Sequence, residues 1–321
     1  MDTPGKEFVC KRLMADKTKL GLPLVDVVRI DTHLKERWGI SPPTPEFFWN
    51  DELRRLAGSD LYNHYAYLND RQAGYLKRGK PIPNDLEIQF YDLIADDRIS
   101  GFIHSQKRTY ILDTSVLLVA LVSLFEIEGE IMDIGCHIGY HPIIIAEETG
   151  RKVYGIDRSS AGIAAANRKK PESLNLTFEA KKFESDFPKE TFEMIVSIDS
   201  ILPTAHNIKK LASLLMDNGV IVLVDDLPNI ESRDFRKAAN ASGLGFGIAD
   251  VVGGLLGPQR GFEGKSVLVL LKGSECQIPR NLQSLIETGW EFFKPYANDP
   301  TTTLDRKTQA YCRAKILDST F

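Results

Sequence analysis

Cysteine is scarce in this 321-residue chain: Cys10, Cys136, Cys276 and Cys312, with no C-x-x-C pair among them. That scatter excludes a disulfide framework and a structural zinc site and fits reduced thiols. Strong charge of one sign is also missing, since 40 Lys+Arg face 44 Asp+Glu for a net −4. Binding nucleic acid by phosphate neutralisation needs the opposite balance, so no nucleic-acid partner is expected. No apolar run reaches the ~20 residues of a membrane helix, and residues 116–125 read as a core helix instead. The N-terminus lacks an apolar signal core, so the expectation is a soluble, cytoplasmic protein with no membrane partner. No internal repeat or low-complexity tract interrupts the chain, whose length suits one large or two modest domains.

The informative text is residues 129–168, GEIMDIGCHIGYHPIIIAEETGRKVYGIDRSSAGIAAANR. Ile131-Met132-Asp133-Ile134 reads as a buried parallel strand. The turn Gly135-Cys136-His137-Ile138-Gly139 follows, then an apolar helix over 140–148 closed by Gly150. A second strand over 152–156 ends in Asp157. Strand, glycine turn, helix, strand and terminal acid form the layout of a nucleotide-binding βαβ unit. Glycines let backbone approach a ligand, the helix N-terminus offers unpaired N–H groups, and the acid is placed for two ribose hydroxyls. Cys136, His137 and His141 invite a metal reading, but three ligands on one tight turn with Pro142 behind them satisfy tetrahedral geometry poorly.

Asp133-x-Gly135-x-x-x-Gly139, followed by Gly155-Ile156-Asp157-Arg158-Ser159, resembles motifs I and II of the class I S-adenosylmethionine-dependent methyltransferases. The resemblance covers roughly residues 113–272, about half the chain. It implies an α/β fold with a seven-stranded, mostly parallel, doubly wound sheet and S-adenosylmethionine as cofactor. On that resemblance Asp133 anchors the cofactor's ammonium, and the backbone of Gly135, Cys136, His137 and Gly139 approaches its methionine part. Asp157, with Arg158 beside it, takes the ribose. Relatives carry an acid for the adenine after the third strand, read here over 175–180, but Lys181 and Lys182 stand there. Phe183 is then expected against the adenine ring, with Glu184 or Asp186 as acceptor. Ser197 and Ile198, closing the fourth strand, complete the expected cofactor contacts.

Upstream, residues 22–99 read as helices, with Thr44-Pro45-Glu46 and Asn84-Asp85-Leu86-Glu87 as start signals. Gly79-Lys80-Pro81-Ile82-Pro83 is the linker between two of them. The aromatics Phe47, Phe48, Trp49, Tyr62, Tyr65, Tyr67 and Tyr75 are expected to form the lobe's own small core or a homodimer face, with one or two on a pocket wall. Between lobe and core, His104 and Tyr110 are, on the same resemblance, candidates for acid–base work or cofactor contact, a polar connector being the alternative. A helix is expected from Thr114.

At the far end of the sheet, Asp199, Ser200, Pro203 and His206 leave the fourth strand toward the acceptor. Asp225 and Asp226 leave the fifth. Asp199, Asp225 and Asp226 form a candidate hard-oxygen site for Mg²⁺, but acids are common at strand exits, and the preferred reading leaves them metal-free. A hairpin ending near Leu271, spanning the loop 253–264, completes the sheet, and helices over 282–293 and 303–316 follow. The expected division is a helical lobe over 1–112 (substrate lid or dimerisation), a cofactor-binding core over 113–272, and an extension over 273–321 packed on the lobe. The expected function is methyl transfer to an O, N or C nucleophile of a small-molecule, natural-product-like acceptor. The alternatives are a methyltransferase acting on protein or RNA, and a non-catalytic cofactor-binding partner subunit.

Overall fold

The four residues 131–134 are all buried and form β1 (Ile131–Ile134), an interior strand of the sheet. The computed structural model describes residues 27–43, 46–187, 191–201, 204–226, 233–249 and 265–273. Before β1 run α1 (Val27–Trp38), α2 (Glu46–Lys77), α3 (Asn84–Ile94), α4 (Ser100–Ser105) and α5 (Arg108–Leu124). After it come α6 (Tyr140–Thr149), β2 (Val153–Asp157), α7 (Ser160–Lys169), β3 (Leu176–Ala180), β4 (Phe192–Ile198) and α8 (Ala205–Leu214). Then follow β5 (Leu215–Asp226), α9 (Arg233–Ala241), β6 (Leu244–Ala249) and β7 (Lys265–Lys272).

The strands form one sheet in the order β3-β2-β1-β4-β5-β7-β6. β7 runs antiparallel to β5 and β6, and the other pairs are parallel. This is the doubly wound, mostly parallel architecture expected from the sequence. Alternation along β5 divides the core between two layers. Val220, Val222 and Val224 pack with α1, α5, α6 and α7, while Ile221 and Leu223 pack with α8 and α9. The order reverses between β1 and β4, and such switch points leave a crevice beyond the carboxyl ends of the strands.

The helical lobe divides in two. Ile30, Leu34 and Trp38 of α1 join the same core as the sheet. A buried ion pair between Asp31 and Arg108 ties α1 to α5, and Glu147 of α6 accepts from His33 and Arg37. α2, α3 and α4 form a second small core around Leu53, Tyr65 and Ile99, with Trp49 5.7 Å from Tyr65 and 5.6 Å from Phe102. Of the aromatics expected in the lobe's core, Trp49, Tyr62 and Tyr65 are found there, whereas Phe48 and Tyr67 are exposed and Tyr75 lies under Arg78.

Three differences from the sequence reading have local causes. α5 begins at Arg108 rather than Thr114, because its polar residues are satisfied within the helix: Thr114 Oγ1 donates to the Tyr110 carbonyl at 2.7 Å and Ser115 Oγ to that of Ile111 at 2.7 Å. α3 has Pro83 at its N-cap with no side-chain cap bond, and Asn84 instead accepts from Arg158 at 3.5 Å. α2 carries a break at Gly58, whose φ of 73° lies in the left-handed region. Residues 1–26, the Thr44-Pro45 cap, Pro203, the loop 253–264 and the helices expected over 282–293 and 303–316 lie outside the described residues.

Candidate active site

The crevice is built first by the turn after β1. Gly135 and Gly139 have φ of 81° and 80°, and a Cβ on Gly135 would lie 2.2 Å from Ser200 Cβ. Only glycine lets the β1 turn and the β4 exit approach so closely. Ser200 Oγ closes the contact by donating to the Ile134 carbonyl at 2.5 Å, and the hydroxyls of Ser197 and Ser200 are 2.7 Å apart. Gly139 leads into α6, and the Trp38 indole N–H of α1 donates to the Ile138 carbonyl at 3.2 Å. The turn is therefore gripped by the lobe as well as by the sheet.

Asp133 sits inside β1, 2% exposed, and its Oδ2 has no hydrogen-bond partner among the described residues. Burial, with the nearby Asp157 carboxylate, pushes its carboxyl up to about 8. A buried carboxyl in that state is costly until a cation or donor reaches it. Asp157 ends β2 and accepts from the backbone N–H of His137 at 2.9 Å and of Ser159 at 2.7 Å. Its two oxygens keep further lone pairs for hydroxyl donors. An unpartnered buried acid beside a glycine turn, with a second acid at the next strand end, fits a ligand carrying an ammonium and a vicinal diol.

His137 occupies the middle of the turn with φ 44°, a conformation that costs a non-glycine residue. Its ring lies 5.4 Å from Tyr91 and 5.5 Å from His104. Nε2–H donates to the Tyr91 carbonyl at 2.9 Å, and burial holds the imidazole below its ordinary range, hence neutral. His104 donates through Nδ1 to the Ser100 carbonyl at 2.7 Å, and burial drops it to about 3. The buried ring is therefore uncharged at neutral pH and lies 5.8 Å from that of Tyr140. Cys136 is buried, which pushes its thiol up, so it is not a reactive thiolate.

On the other side of the crevice, Asp199 follows β4 with φ 50°, its N–H bonded to the Val224 carbonyl at 2.9 Å. The Tyr110 hydroxyl of α5 donates to Asp199 Oδ2 at 2.9 Å. Burial first, and Asp199 second, push that phenol well up, so it stays a donor. Two further tyrosines converge here that the sequence reading did not single out. The Tyr140 hydroxyl is held up by burial and by Asp133, Asp199 and Asp157. Tyr91 is 37% exposed, yet its hydroxyl feels Glu87, Asp157 and Asp199 after burial. Tyr140 could have been found from its place at the first turn of the glycine-loop helix. Tyr91 had no local signal, because it arrives from α3.

The remaining candidates are dispersed. Phe183 is buried in the core layer of α8 and α9, with Lys210 Nζ 5.1 Å from its ring centre, while Glu184 and Asp186 are exposed. Arg158 pairs with Glu87 of α3. Ile198 packs at the margin of the core. His206 is exposed on the first turn of α8, where Thr204, not His206, caps the helix by accepting from the N–H of Asn207. Asp225 is buried, and the side chain of Asp226 lies outside the described residues. Among the described residues no group of three His, Cys, Asp or Glu is placed to hold a metal ion. Among them, too, no helix is long and apolar enough to cross a membrane.

Residues 127–242 match a family described as a methyltransferase domain. No curated protein matches the sequence. Among solved structures, a chain of the complex between the Haloferax volcanii Trm112 methyltransferase activator and a methyltransferase is 16% identical, with TM-score 0.44, covering 57% of this chain and 98% of its own. A Synechocystis PCC 6803 magnesium protoporphyrin IX methyltransferase with bound SAH is 20% identical, with TM-score 0.41, covering 54% and 88%. A TehB-like SAM-dependent methyltransferase from Corynebacterium glutamicum is 16% identical, with TM-score 0.40, covering 66% and 99%. Sheet order, reversed β7 and the glycine turn after β1 define a doubly wound α/β protein, a fold in which ligands bind at the switch point, here between β1 and β4. Together with the domain match over residues 127–242, they agree with the resemblance of this part of the chain to the class I S-adenosylmethionine-dependent methyltransferases.

Proposed function

We propose that the protein is an S-adenosylmethionine-dependent methyltransferase acting on a small-molecule acceptor. The observation that carries the reading is the pair Asp133 and Asp157 around the glycine turn, one acid buried without a partner at Oδ2 and the other fixed at a strand end. In this reading Asp133 holds the cofactor's ammonium, Asp157 its ribose hydroxyls, and Tyr140 and Tyr91 wall the space between. When bound, S-adenosylmethionine supplies an activated methyl group on its sulfonium.

The chain's own part is positioning, exclusion of water and control of one proton. Asp199 stands where an acceptor hydroxyl or amine enters, and the Tyr110 hydroxyl orients its carboxylate. The pair can take a proton from the nucleophile, with Asp199 as base and Tyr110 as donor to it. His104 and His137, both neutral, shape the wall and keep positive charge away from the sulfonium. In the same reading residues 113–272 are the catalytic core and the helical lobe closes the acceptor side. Mg²⁺ is not assigned a part.

A second reading has one observation of its own. His137 fills the centre of the turn, which favours a cofactor-binding subunit without turnover. Incubation with S-adenosylmethionine and a panel of small phenols, catechols and amines separates the two. Acceptor-dependent release of S-adenosylhomocysteine, lost in Asp199→Asn, supports the enzyme. Tight binding with no release on any acceptor supports the partner subunit.

A further inference from the structure

Asp157 is fixed by more than its own strand. His137 N–H donates to its Oδ2 at 2.9 Å and Ser159 N–H to its Oδ1 at 2.7 Å. Ser159 Oγ in turn donates to Asp92 Oδ1 of α3 at 2.5 Å, and Ala161 N–H reaches the same oxygen at 3.3 Å. His137 Nε2–H donates to the carbonyl of Tyr91, the neighbour of Asp92. A closed circuit therefore leaves α3 at Tyr91, passes through His137, Asp157 and Ser159, and returns to α3 at Asp92.

The imidazole has a seat made for it. A Cβ on Gly162 of α7 would lie 2.8 Å from His137 Cδ2, so α7 packs on the ring only because residue 162 is glycine. Ser159 Oγ also accepts from the N–H of Gly162 as the N-cap of α7, so its single proton is committed to Asp92. Without Asp92 that proton would turn to another acceptor, and Asp157 is the carboxylate already bonded to the same residue. It would then occupy a lone pair that a ribose hydroxyl needs.

We propose that Asp92 and His137 are positioning residues for the nucleoside half of the cofactor, so that α3 of the helical lobe sets cofactor affinity through the orientation of Asp157. This rests on the reading of Asp157 as the ribose acid. Losing one such indirect constraint is expected to change affinity roughly tenfold, about 1.4 kcal/mol.

The test is calorimetric titration of the full chain with S-adenosylhomocysteine, with melting curves of each variant alone and with ligand. Asp92→Ala is expected to bind about tenfold more weakly, and Asp92→Asn, which keeps the accepting oxygen, within about twofold of wild type. His137→Gly, free of strain at its positive φ but unable to reach Tyr91, is expected to weaken binding about fivefold. The loss should appear in the ligand-induced rise of the melting temperature, with the unliganded melt little changed. Asp92→Ala binding like wild type while Asp157→Ala fails to bind would overturn the proposal and leave the cofactor reading intact. Asp92→Asn as weak as Asp92→Ala would overturn it too, since charge alone would then be the cause. Folded wild type that does not bind at all would remove both.

Discussion

The exits of β1 and β2 and the exit of β4 carry the same kind of residue, an aspartate leaving a buried strand, yet they are assembled differently. At β1 and β2 the turn, the acid and its backbone donors all come from residues 133–159, and α3 only completes the frame. At β4, Asp199 meets a tyrosine 89 residues earlier in the chain, on a helix docked through a buried ion pair. One site is built mainly from contiguous residues, with the lobe bracing it from outside; the other has no second partner until the lobe has docked. Damage to docking should therefore disable the acceptor side before the cofactor side, and damage to the turn should do the reverse.

The largest effect expected is on docking itself. Arg108→Leu leaves Asp31 buried without its guanidinium, against a desolvation that already raises the Asp31 carboxyl. Removing one partner of a buried pair costs about 3–5 kcal/mol, measurable by urea unfolding. Next is Asp157→Ala, which removes a charged acceptor for two hydroxyls and should weaken cofactor binding by more than about a hundredfold, out of the range of the titration. Equilibrium titration checks it, and survival of affinity would break the contrast.

Asp133 sharpens the contrast through pH. Its carboxyl lies at about 8 in the free protein against an ordinary 3.8, so the folded state holds a proton that the unfolded state has lost. Stability contributed by that proton is full below the ordinary value and is lost as pH rises toward 8, so Asp133→Asn should melt higher than wild type near pH 7.5. A cationic ligand group favours the ionised form, so cofactor affinity should rise from pH 6 to 8 by up to about tenfold per unit, with proton release seen as buffer-dependent heat. The smallest expected effect is Tyr110→Phe. It keeps the ring packed, removes one donor from Asp199, and should slow turnover about tenfold with cofactor affinity unchanged.

The same division decides what the amino-acid order reveals. The β1–α6–β2 unit was legible because its determinants are contiguous: a buried apolar run, two glycines at positive φ, and an acid at the strand end. The sheet order followed from the resemblance that this unit carries. The start of α5 was missed because Thr114 and Ser115 look polar in a string but bond back to their own helix. Tyr91 and Asp92 carry no local signal at all; they reach the exit of β2 because α3 docks there, through Arg158 with Glu87 and Ser159 with Asp92. His137 was visible as a departure from glycine, but its ring's seat against Gly162, Tyr91 and His104 was not.

The most direct test of the two-sided site is one set of S-adenosylhomocysteine titrations on wild type, Asp157→Ala and Asp199→Asn. The expected result is micromolar binding by wild type, none by Asp157→Ala, and wild-type affinity in Asp199→Asn. Equal loss in both variants, or no loss in Asp157→Ala, would contradict a cofactor side at β1–β2 separate from an acceptor side at β4.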